Sequence, residues 1–178
     1  MKKVFFFLLF CLPLCLFSQA EEKKPYEFLP INTKRSSWEV RLGDKSLAKI
    51  EKSRFRYIWK ITWANGQNGS LKPISNNPNR FFFSLNKVKY LLSLSESYQE
   101  TRWIMKQQKP YKKTPYTVLA AADFSSWESQ TPPFQFKLIK NTSQGTYSLE
   151  APHFSPTLSA PQLILPVMAL LYSENHMR

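Results

Sequence analysis

Cysteine, histidine and glycine are scarce in this sequence: two, two and four among 178 residues. Both cysteines, Cys11 and Cys15, lie within the first fifteen positions. The rest of the chain therefore has no disulfide, no thiolate metal site and no cysteine nucleophile. With His153 and His176 as the only imidazoles, a zinc site would need carboxylates for most of its ligands, which zinc rarely uses. No cofactor is expected. No HExxH helix, CxxC pair, glycine-rich phosphate loop or GxSxG elbow is present. With so few glycines, turns must rely on Asn, Ser and Pro.

Acid is missing from two long stretches. Between Glu51 and Glu96 there is none, while Lys52, Arg54, Arg56, Lys60, Lys72, Arg80, Lys87 and Lys89 fall in that gap. Between Glu100 and Asp123 lie Arg102, Lys106, Lys109, Lys112 and Lys113. Such asymmetry points to an anionic partner, a lipid head group, a cell-envelope polymer or nucleic acid, or else to charge that keeps an exported protein soluble. The residues expected to meet such a partner are Arg54, Arg56, Lys60, Lys87, Lys89, Lys106, Lys109, Lys112 and Lys113.

The N-terminus reads as a cleavable export signal. Lys2 and Lys3 precede an apolar run from Val4 to Phe17, and Ser18-Gln19-Ala20 places small residues at −3 and −1 before Glu21. The run is shorter than the ~20 residues a membrane-spanning helix needs. Cys11 and Cys15 follow bulky Phe10 and Leu14, which does not suit lipidation. Cleavage after Ala20 removes both cysteines and leaves a net charge of +11, since the first twenty residues hold two of the 25 basic residues and none of the 12 acidic ones. The product is expected in the periplasm, if bacterial, or outside the cell. The remaining length suits one domain burying roughly 70% of its unfolded surface. Residues 21–36 read as a charged, flexible leader.

From Ser37 the chain alternates with a period of two. Trp38, Val40 and Leu42 share a face, Gly43-Asp44 signals a turn, and Ser46 to Ile50 returns. The longest alternation runs from Arg54 to Trp63, with Phe55, Tyr57, Trp59, Ile61 and Trp63 on one face and Arg54, Arg56, Lys60 and Thr62 on the other. Ala64 to Gly69 reads as turns and Pro73 to Asn79 as a loop. Phe81, Phe83 and Leu85 alternate, then Val88, Tyr90, Leu92 and Leu94 in opposite parity, so Asn86-Lys87 marks a hairpin turn or a bulge. Thr101, Trp103 and Met105 form the next face, with Arg102, Ile104 and Lys106 opposite. Gln107 to Pro115 reads as an exposed loop. Tyr116 to Phe124, Phe134 to Leu138, and Tyr147 with Leu149 complete the strands.

The C-terminal segment differs. Gln162 to Tyr172 is almost continuously apolar, and a helix is expected from near Leu165 with Pro166 in its first turn. A helix apolar all round is normally buried; the rival is a membrane-docking tail. The expected fold is a mostly β antiparallel barrel or sandwich of about eight strands with one apolar C-terminal helix. In size and strand count it resembles lipocalin-like barrels, and in enclosing a helix it resembles the tubby-like domains. No motif supports either likeness, and the Gly-x-Trp signature of lipocalins is absent near Trp38.

Three functions follow as expectations. The first is a non-catalytic exported protein holding an anionic envelope or lipid surface. The second is a carrier of an apolar ligand inside a lipocalin-like barrel. The third is a hydrolase using Ser125 or Ser126 with His153, near the acids Asp123 and Glu128. Single-stranded nucleic acid fits poorly, because its binders expose rings and cations on one face, and here they alternate. No transmembrane segment is expected after cleavage.

Overall fold

A strand with large apolar residues at every second position must turn that face from water, and among the described residues twelve strands, most of them of this kind, curl until the first meets the last. The computed structural model describes residues 24–54, 58–75, 77–109, 115–132, 134–154 and 158–174. The expected signal (1–20), both cysteines, Arg56, Lys112, Lys113 and His176 lie outside them, as do Phe55 to Tyr57. The strands are β1 (Tyr26–Pro30), β2 (Ser37–Leu42), β3 (Lys45–Lys52), β4 (Trp59–Trp63), β5 (Asn68–Ile74) and β6 (Asn77–Leu85). They continue with β7 (Val88–Glu96), β8 (Thr101–Lys109), β9 (Tyr116–Ala120), β10 (Ser126–Ser129), β11 (Phe136–Asn141) and β12 (Thr146–Glu150). Every strand pairs antiparallel with its sequence neighbours, and β1 pairs with β12 to close the barrel. The helix α1 (Ala160–Ser173) follows.

Antiparallel order sorts the connections onto two rims. The front rim carries β2–β3, β4–β5, β6–β7, β8–β9 and β10–β11, together with the segment from β12 to α1. The back rim carries the other hairpins.

The helix occupies the lumen. From Leu163 to Leu171 every residue is fully buried, and these side chains form one cluster with the inward residues of the strands, among them Phe28, Trp38, Trp59, Leu92, Trp103 and Leu149. The membrane-docking alternative for this segment is therefore wrong. Lumen size also explains why the strand count is twelve and not about eight. Eight strands enclose a space that side chains alone fill, whereas a helix with its side chains is about 10 Å across.

The helix begins five residues earlier than its apolar run implied. Ser159 caps it, its backbone N–H and Oγ both donating to Gln162 Oε1 at 2.8 and 2.9 Å. Pro161 fills the first turn, where its missing N–H costs nothing, and Pro166 is interior. Both ends are pinned. At the front rim Trp63 Nε1 donates to the Leu158 carbonyl (3.2 Å), and at the back rim Trp127 Nε1 donates to Ser173 Oγ (2.9 Å). The Tyr172 hydroxyl bonds Glu96.

Several local expectations change. The supposed leader contains β1, whose Tyr26 and Phe28 are core residues. The long strand starts at Trp59, not Arg54. The turn region after Trp63 gives way at Asn68 to β5, which with the start of β6 replaces most of the expected loop over 73–79. Gln107 is buried in β8, not exposed in a loop. Asn86-Lys87 is a two-residue turn, since Leu85 faces Val88 directly, with Asn86 in the left-handed region at φ 54°. The alternation ending at Phe124 stops at Ala120, and Phe124, at φ 56°, turns back to pack on Trp127 and Tyr172.

Gly69 shows how tightly the wall meets its contents. A Cβ there would lie 2.6 Å from the Phe83 ring and 3.2 Å from Trp63, and both rings are buried. Gly69→Ala is expected to cost about 1–3 kcal/mol by overpacking, read as a lower urea midpoint with an unchanged m-value.

Candidate functional site

The outer face of β4 to β8 carries the acid-free stretch. Along β4, Trp59, Ile61 and Trp63 are buried inward while Lys60 and Thr62 are exposed outward. The cross-strand register then assigns each outward position a neighbour. One row runs Lys60, Ser70, Ser84, Lys89 and Lys109. A second runs Lys72, Phe82, Leu91 and Lys106. A third runs Arg80, Ser93, Ile104 and Thr117. With strands about 4.8 Å apart, this face is about 20 Å wide. Among the described residues it holds no acidic side chain, and Lys60, Lys72, Arg80, Lys89 and Lys106, all exposed, make no ion pair.

The acids border the face without entering it. Glu51 on β3 faces Lys60 across the ladder but pairs with Lys49 (2.8 Å). Glu100, in the β7–β8 hairpin, pairs with Arg102 (3.1 Å). Glu39 pairs with Arg41 (2.7 Å), and that bond holds the Glu39 carboxyl below its ordinary value.

The expected cations separate. Lys60, Lys89 and Lys106 share the outer face, and Lys109 joins it in the ladder opposite Lys89. Lys87 lies in the β6–β7 turn at the front rim, and Arg54 follows β3 at the back rim. Arg56, Lys112 and Lys113 lie outside the described residues.

Four apolar residues run across this face and onto the adjoining β9, and of these only Ile104 was expected on the outer side. Phe82 and Leu119 are 43% and 39% exposed, and Leu91 and Ile104 are half-buried. Phe82 is directly opposite Leu91. Leu91 is one register step from Ile104, and Ile104 one step from Leu119. They form a diagonal stripe over β6 to β9. Lys72, Lys89 and Lys106 flank one side and Arg80 and Arg102 the other.

The enzyme-like cluster comes apart. Asp123 and Ser125 lie in the β9–β10 connection at the back rim, and His153 follows β12 at the front rim. The barrel wall stands between them, a strand of five residues spanning about 17 Å, against the ~3 Å that proton transfer needs. Asp123 accepts instead from the Ser125 backbone (3.0 Å). The Ser125 bonds hold its carboxyl low, as an Asx turn does. Among the described residues no three His, Cys, Asp or Glu side chains gather to hold a metal ion.

The most strongly bonded charge is Glu174, just past α1. Its carboxylate meets Arg35 (2.6 Å), Lys140 (3.1 Å) and the donating Tyr147 hydroxyl (2.6 Å), with only 7% of its side chain exposed. Burial pushes the Glu174 carboxyl up, but the bonds from Tyr147, Arg35 and Lys140 outweigh it and hold the group below the usual carboxylate value. Burial first, then the bond to Glu174, drives the Tyr147 hydroxyl well above the usual phenol value, so it stays protonated and donates. A carboxylate at a helix C-terminus opposes the helix dipole, and α1 has no basic residue in its last turn. The barrel supplies the missing cations. This cluster locks the plug in place.

Among the described residues no helix is long and apolar enough to cross a membrane. The outer wall, with its lysines and serines, is also unlike the apolar band of a membrane-spanning barrel. Comparison with protein-family models, curated proteins and solved structures finds no match for this chain.

Proposed function

We propose that this chain is an exported, non-catalytic binding protein whose β4–β8 outer face holds an anionic envelope or lipid surface. The observation that carries the reading is the acid-free row structure of that face, with five exposed cations that no described carboxylate neutralises. Gathered like charges raise the energy of the free protein, and an anionic partner relieves that cost. Each Lys or Arg contributes on the order of 1 kcal/mol near an anionic membrane surface. The filling of the lumen by α1 weighs against a carrier, and the separation of Ser125 from His153 weighs against a hydrolase.

Binding to phosphatidylglycerol vesicles or to polyphosphate is expected to weaken steeply with added salt. The triple variant Lys60→Glu, Lys89→Glu, Lys106→Glu is expected to bind vesicles at least about tenfold more weakly with an unchanged melting temperature. Salt-independent binding, or full binding by the triple variant, would sink the proposal.

A further inference from the structure

We infer that the partner of this face is a lipid bilayer, entered by the diagonal stripe Phe82, Leu91, Ile104 and Leu119; the inference rests on the basic-face reading above. A hydrated polyanion has charge to offer the lysines but no apolar phase to receive a phenyl ring. Elsewhere on this face, apart from half-buried Ile74 at the end of β5, the described outward positions carry Ser, Thr, Asn, Gln, Lys or Arg, side chains at home in water. Phe82 is 43% exposed and Leu119 39% exposed, and the register joins them through Leu91 and Ile104 into one apolar line. A contiguous apolar patch with a polar rim marks an interaction surface, where single scattered residues do not.

The arrangement matches the layers of a bilayer interface. Phosphates lie outside the acyl region, and cations flank Phe82, Leu91 and Ile104 on both sides, while Glu128 stands opposite Leu119 at the β9 end. The stems of Lys72, Lys89 and Lys106 can lie along apolar surface while their ammonium groups reach the headgroups. The barrel is convex, so the strands at the middle of the face, β5 to β7, approach the surface first. Phe82 and Leu91 are on those strands. Anionic charge and an apolar phase together are what an interfacial binder uses.

The experiment compares the full chain with Phe82→Ser, and separately with Leu119→Ser, on two probes. One is vesicles of equal parts phosphatidylglycerol and phosphatidylcholine, read by flotation; the other is soluble polyphosphate. The inference expects each variant to lose vesicle affinity, about tenfold for Phe82→Ser, with polyphosphate affinity unchanged. It also expects part of the wild-type vesicle binding to survive high salt, and that part to vanish in Phe82→Ser. If both folded variants hold vesicles as well as wild type, or if wild type holds polyphosphate and not vesicles, the bilayer inference is overturned and the basic-face reading stands. If wild type holds neither probe, both fail. Leu119→Ser decides the outcome should Phe82→Ser not fold.

Discussion

Leu170→Ala is expected to destabilise the barrel by about 2–5 kcal/mol. Leu170 is fully buried in α1, and α1 is walled on all sides. A surface helix can shift towards a cavity; a helix pinned by Trp63 at one rim and by Trp127 at the other has little room to do so. The loss should therefore fall near the top of that range, because the unrelaxed cavity adds its own cost to the lost transfer energy. Urea unfolding followed by tryptophan fluorescence checks it, since Trp38, Trp59, Trp103 and Trp127 are fully buried. Lys87→Ala, in the exposed β6–β7 turn, should shift the midpoint by no more than about 0.5 kcal/mol. Equal effects from the two substitutions would mean that α1 does not fill the lumen in solution.

Glu174→Ala is the second large effect. It leaves the Tyr147 hydroxyl, Arg35 and Lys140 without their shared acceptor. Removing one partner of a buried pair typically costs 3–5 kcal/mol. Here Arg35 and Lys140 keep 34% and 27% of their side chains in solvent, so water recovers part of that and about 2–3 kcal/mol is expected. The pH dependence has a definite sign. The folded Glu174 carboxyl titrates below its ordinary value, so its contribution is fully present above the unfolded value of about 4.3. It is lost as pH falls through the folded value. The stability gap between wild type and Glu174→Gln should be constant near neutrality and shrink in acid. A gap that widened as pH fell would contradict the assignment.

The β class was legible because Trp38 with Val40, Phe81 with Phe83, and Trp103 with Met105 each mark an inward face with a period of two, while the closed barrel was one of two architectures that this pattern allows. Three strands were not legible, each for a local reason. In β5 the inward series begins with Gly69, kept small because the Phe83 and Trp63 rings fill its place, so Leu71 alone showed the face. In β10 only four residues pair, and Trp127 is the single apolar one. β1 follows charged residues, and its Tyr26 and Phe28 become meaningful only when β12 lies beside them. The helix was read from its run of aliphatic residues, but its start was not, because Ser159 and Pro161 looked like loop punctuation. The cationic face was half visible: acid-free sequence announces charge, while the rows depend on register. The stripe was invisible, because Phe82, Leu91, Ile104 and Leu119 sit on four strands and meet only through three ladders.

The place of α1 in chain order governs when this protein can become native. All twelve strands precede the element that gives their inward side chains something to pack on. The seam waits equally long, since Tyr26 must find Leu149. Contacts this distant reward the chain only after their loop-closure entropy has been met. Folding should therefore arrive late and all at once. Until α1 has emerged, the growing polypeptide has walls without an interior. Were the chain exported, as proposed above, it would still be threadable in that condition, and folding on the far side would prevent its return.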